Sequence, residues 1–163
     1  MSGRVLPRQP ASRPIMSLKD RLLEDIKQAM RAGDKARLGT LRMASAAVKQ
    51  REVDERIEAD DSVVLATLEK MIKQRRESAE QYRAGNRPDL AEVEEAEIEI
   101  LQPYLPEPLS EDALAELIDQ VIAGTGASSM ADMGKVMGQV KARAQGRADM
   151  GQVSSLVRAR LAG

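Results

Sequence analysis

The 163-residue chain has no cysteine, no histidine, no tryptophan and no phenylalanine. Each absence removes a class of function. Without Cys or His there is no thiolate nucleophile, no imidazole base and no thiolate or imidazole metal ligand, so zinc sites and Cys-His or Ser-His-Asp catalysis are excluded. No disulfide can form, which is compatible with a reducing compartment and sets the expectation of a cytoplasmic protein. Tyr82 and Tyr104 are the only aromatic residues. The core must therefore be aliphatic, and recognition of single-stranded nucleic acid by aromatic stacking has almost no platform to use. No uncharged run of about 18 apolar residues occurs, so no membrane span is expected.

What is present reads as helix. Hydrophobic residues at 42% and charged residues at 31% fit a folded, helix-rich chain rather than a disordered one. The length allows one compact unit with a small C-terminal subdomain. The opening residues 1–15 carry Arg4, Arg8 and Arg13, no acid, and Pro7, Pro10 and Pro14. They read as a disordered leader or an upstream-start extension rather than a targeting peptide, because an amphipathic helix is opposed by the prolines.

From Ser17 the spacing predicts a series of helices. Ser17 with Asp20 resembles a capping box, and Leu18, Leu22, Leu23, Ile26 and Met30 follow at helical intervals up to a stop at Gly33. Asp34 should cap a second helix with Leu38, Leu41, Ser45 and Val48 inward, fraying in the polar stretch 50–62. Asp61 or Ser62 should cap a third helix presenting Leu65, Leu68, Met71, Ile72, Ala79 and Tyr82. A fourth, after "NRPD", should turn Leu90, Val93, Ala96, Ile100 and Leu101 inward and its acids outward. The stretch "QPYLPEPL" then breaks the chain, since proline removes amide donors and disfavours helix in the residue before it. Beyond it, Ser110, a Ser129–Asp132 capping box and Asp149 open three short helices that divide at "GTGAS" and Gly146. The expectation is all-α: about four helices over residues 16–108 and a three-helix tail over 109–163.

The charge is segregated along the chain. Residues 88–134 hold 12 acids and no base, whereas residues 135–163 hold 6 bases and one acid, so a basic tail is available to an anionic partner. The acids of "EVEEAEIEI" read as a solvated face pairing with bases of a neighbouring helix. In "GKVMGQVKARAQGRADMGQV", Gly134 and Gly138 fall on one helix face, where a second backbone can approach. That backbone is either a packed helix or a ribose-phosphate chain. Lys135, Lys141, Arg143 and Arg147 around them suit phosphate contact.

"DMGKVMGQVKARAQGRADMGQVSSLVRARL", with "LRMASAAVKQREVDER" and "AEIEILQPYLPEPLSEDAL", resembles the YqeY-like proteins over about residues 16–161. The C-terminal part is similar to the tail of the GatB subunit of the glutamyl/aspartyl-tRNA amidotransferase. The resemblance implies an all-helical accessory protein that grips tRNA or another structured RNA. Lys135 and Arg147 would touch phosphate, Lys141, Arg143 and Arg158 would support them, and Gly146 and Asp149 would shape the turn. Carbon-nitrogen ligase activity with glutamine as amido-N-donor is implied by relatedness alone, since no phosphate-binding catalytic loop and no serine-lysine constellation accompanies carboxylates such as Glu94, Glu97 and Asp119. No cofactor or metal is expected. The alternative is a protein-interaction module that docks, through the acidic fourth helix or the tail, on a translation or amidotransferase component.

Overall fold

The computed structural model describes residues 16–162, and the leader expected over residues 1–15 lies outside the described residues. Among the described residues seven α-helices run in order: α1 (Leu18–Ala32), α2 (Lys35–Glu55), α3 (Asp61–Ala84), α4 (Pro88–Leu101), α5 (Glu111–Thr125), α6 (Met133–Ala144) and α7 (Met150–Ala162). Short 3-10 turns occupy Gln102–Tyr104 and Met130–Asp132. Among the described residues there is no strand, and the fold is all-α.

The helix ends follow local chemistry. Ser17 Oγ accepts the Asp20 amide at 3.1 Å to open α1, and Gly33, at φ 67°, closes it by donating its N–H to the carbonyls of Ala29 and Met30. Asp34 caps α2 by accepting the Arg37 amide at 3.1 Å. That helix runs to Glu55 instead of fraying from Gln50, because its polar last turns find partners one turn on: Gln50 with Asp54 and Arg51 with Glu55. Asp60, rather than Asp61 or Ser62, caps α3, receiving the Val63 amide and the Ser62 hydroxyl. Asp61 is used across the chain instead, accepting the Leu18 amide at 2.9 Å and tying the start of α1 to α3. The expected Ser129–Asp132 box does not form; the Asp132 carboxylate accepts the Ser128 amide at 3.1 Å.

Two hydrophobic clusters fill the molecule. The first gathers Leu22, Leu41, Val64, Leu68, Ile72, Leu101 and Tyr104 from α1 to α4 and the 3-10 turn. The second gathers Leu114, Ile118, Val121, Val136, Val140, Val153 and Val157 from α5, α6 and α7. Some predicted inward residues turn out: Leu23, Met30 and Val93 are exposed, while Ala29 and Ala91 are buried. For α4 the reason is electrostatic. Arg75 Nε donates to Glu97 at 2.7 Å and Arg83 pairs in bidentate fashion with Glu95, so the acid-bearing flank turns toward α3 and Val93 rolls outward.

Candidate nucleic-acid interface

Helix α6 is held in the tail core by Val136, Val140 and Ala144 at four-residue spacing. The same spacing puts Gly134, Gly138 and Ala142 on the opposite, exposed arc. An added Cβ at Gly134 or Gly138 would meet no heavy atom of another segment within 4 Å among the described residues. Close packing of α6 on a neighbouring helix of the described residues therefore does not account for these glycines. Lys135 and Lys141 stand exposed beside them, with no ion-pair partner among the described residues. No carboxylate side chain belongs to residues 133–148. The result is a smooth backbone strip edged by two ammonium groups, with no acid on the helix itself and the Glu69 carboxyl of α3 near Lys141 at its C-terminal end.

The other predicted cations are placed differently. Arg143 is exposed but emerges about 160° round the helix from Lys141, on the far flank of the solvent-facing arc. Arg158 is exposed on α7. Arg160, two residues on, turns to α5, where it meets the Ala115 carbonyl at 2.8 Å and Asp119 at 2.6 Å. Arg158 thus lies on the flank away from α5. Arg147 is half-buried, and its Nε donates to the Glu107 carbonyl at 3.0 Å. Gly134, Lys135, Gly138 and Lys141 are consequently brought together, whereas Arg143 is turned to the far flank of α6, Arg158 stands exposed on α7 and Arg147 is engaged with the chain's own backbone.

Arg147 belongs to a polar seam that joins the tail to the rest of the molecule. Gln145 Nε2 donates to the Ser62 carbonyl at 3.1 Å, and the Leu109 amide donates to the Arg147 carbonyl at 2.8 Å. Gly146 sits at φ 74°, and an added Cβ there would lie 3.1 Å from the Pro106 ring and 3.5 Å from a Glu69 carboxylate oxygen. Only glycine fits without displacing the linker. Burial in the seam pushes the Glu69 carboxyl up from its ordinary value, opposed by the Gly146 N–H and the nearby Lys141 charge. Sequence reasoning missed Ser62, Glu69 and Pro106, because their partners lie far along the chain. The signal it did have was Gly146 at a turn, assigned there to shape alone.

A second cluster of polar side chains lies in the first core. The Tyr104 hydroxyl donates to Asp25, whose Oδ2 also faces Arg21 at 4.0 Å and Arg37 at 3.8 Å. The Arg21 guanidinium lies over the Tyr104 ring, 4.8 Å from its centre. Burial, and then the Asp25 carboxylate, push the Tyr104 phenol well above its ordinary value. A cleft of about 440 Å³ opens here and is also lined by Glu99. Its two acids balance its two arginines, so it is not an anion pocket; the cluster clasps the 3-10 turn to α1 and α2.

The family described as "Yqey-like protein" matches residues 19–161. The chain is 33% identical over 129 residues to "Altered inheritance of mitochondria protein 41, mitochondrial" of Pyrenophora tritici-repentis, covering 76% of this chain and 71% of that protein. The protein of the same name from Meyerozyma guilliermondii is 34% identical over 125 residues, covering 73% and 66%. That from Lachancea thermotolerans is 41% identical over 85 residues, covering 52% of this chain and 46%, about half, of its own length. These names overturn the expectation of a cytoplasmic protein, since the relatives are named as mitochondrial. The reason is physical: a lack of cysteine excludes disulfides but does not select among compartments where none is needed.

Proposed function

The chain belongs to the Yqey-like protein family, and from that membership we propose that it is a non-catalytic accessory protein that binds structured RNA, tRNA in particular, through the exposed face of α6. One observation carries the reading. Gly138 lies inside α6 and Gly134 in its first turn, yet no other segment of the described residues occupies the space their missing side chains leave. Each helical glycine costs about 1 kcal/mol against alanine, and no internal packing offsets that cost. Gly39 in α2 and Gly124 in α5 stand equally open, so it is the pair of such glycines one turn apart, on a strip edged by Lys135 and Lys141, that points to a partner close to the α6 backbone. Lys135 and Lys141 edging the strip, with no acid on the helix, favour a phosphate backbone over a second protein helix. With two tyrosines in the chain, and Tyr104 buried, recognition rests on shape and phosphate rather than on stacked bases. The relation to amidotransferases rests on the likeness of the tail sequence and brings no catalytic groups with it.

The test is a tRNA gel shift over a salt series, with wild type beside a Lys135→Glu/Lys141→Glu/Arg143→Glu variant. Wild type should bind with an affinity that falls steeply as salt rises, because each neutralised phosphate releases counterions. The variant should bind at least about tenfold more weakly, and its salt slope should flatten by about one for each phosphate that it no longer neutralises. Equal, weak binding by both proteins rejects RNA and directs attention to a protein partner on the same glycine strip.

A further inference from the structure

We propose that the RNA seat is not confined to the tail but is a composite one, in which Lys70 and Lys73 of α3 share a phosphate backbone with Lys135 and Lys141 of α6, across the Gln145–Arg147 seam. The inference rests on the RNA reading above and extends it to the other half of the molecule. Gln145 follows Gly138 and Lys141 on the same line of α6, at intervals of three and four residues, and its amide reaches the Ser62 carbonyl on α3. The glycine strip therefore runs into α3 at its C-terminal end. On α3, Ser62, Glu69 and Lys73 stand on one face at intervals of seven and four residues, and Gly146 lies against Glu69. Lys73 is thus one turn, about 6 Å, beyond the junction, and Lys70 is on the adjoining line. Both are exposed, with no ion-pair partner among the described residues.

The seam decides whether these two pairs of cations act together. Its bonds are polar, and the two hydrophobic clusters do not merge across it. Their relative placement is fixed by the Gly146 cradle against Pro106 and by the Arg147 bond to Glu107. Arg147 is accordingly a positioning residue that acts through the linker, not a phosphate ligand.

The experiment measures affinity and salt slope of the full chain for unfractionated tRNA, with polyuridylate as a single-stranded control, in four proteins. These are wild type, Lys70→Glu/Lys73→Glu, Lys135→Glu/Lys141→Glu, and Arg147→Ala, each checked for helical content by circular dichroism. The composite seat requires that both reversal pairs weaken tRNA binding by about tenfold or more and lower the salt slope. It also requires that Arg147→Ala weaken binding severalfold with an unchanged slope. If reversal in α6 weakens binding while reversal in α3 leaves it as wild type, the composite seat is overturned and the tail reading stands. If neither pair matters, the RNA reading itself falls and takes the composite seat with it. A drop of about one in the slope for Arg147→Ala makes Arg147 a phosphate ligand and refutes its positioning role.

Discussion

Among single residues, stability and binding pull apart at α6. Gly138→Ala adds a methyl group that meets nothing and removes the backbone entropy that glycine carries, so it should raise folding stability by about 0.5–1 kcal/mol. Denaturant unfolding reads the gain, and the gel shift should show weaker tRNA binding by the same variant. A stabilised protein with undiminished binding would leave the glycine without a function. Glu69 gives a pH dependence with a definite sign. Its carboxyl is raised by burial, so its contribution is greatest below the ordinary Glu value of about 4.3 and is lost as pH rises through the raised value. Relative to Glu69→Gln, wild type should therefore gain stability as pH falls from neutrality toward that ordinary value, which thermal melts of the two proteins across pH will check.

Between helices, the pairing of α4 with α3 separates ion pairs that matter from pairs that only look alike. Arg75 and Glu97 are mostly covered, with side chains 14% and 24% exposed, and Arg75 also donates to the Met71 carbonyl. Arg83 and Glu95 make more hydrogen bonds but stand 50% and 44% exposed. Desolvation decides between them. Glu97→Ala leaves a mostly buried guanidinium without its carboxylate partner and should cost about 1–3 kcal/mol. Glu95→Ala removes a solvent-screened pair and should cost no more than about 1 kcal/mol. Chemical denaturation of the two variants gives the comparison, and the order reversed would mean that geometry outweighs burial here.

Across the molecule as a whole, two hydrophobic clusters joined by a polar seam propose two folding units dividing at residues 108 and 109. No helix of the described residues is long and apolar enough to cross a membrane. The seam's hydrogen bonds are worth about 1 kcal/mol each, enough to set how the two halves sit in the folded molecule but too little to make their cores unfold together. Residues 16–108 expressed alone should keep their helical circular dichroism and a cooperative melt. Limited proteolysis of the full chain should cut first near residues 105–109. A first fragment that is unfolded in isolation would show one cooperative unit instead of two.

Local order along the chain suffices for the helices, their caps at Ser17, Asp34, Ser110 and Asp149, and the breaks at Gly33 and the proline stretch, because caps and breakers act on neighbours within four residues. The aliphatic core and the exclusion of imidazole and thiolate chemistry follow from composition. Which face a helix buries was legible only in part, as Leu23, Met30 and Val93 show. That choice depends on which neighbours a helix meets and on ion pairs such as Arg75 with Glu97, formed 22 residues apart. Folding in three dimensions was needed to reveal that Gly134 and Gly138 face open space and that Arg147 holds the linker. It was needed also to bring Glu69 against Gly146, since nothing in a local pattern says what a distant segment will bring to a helix face.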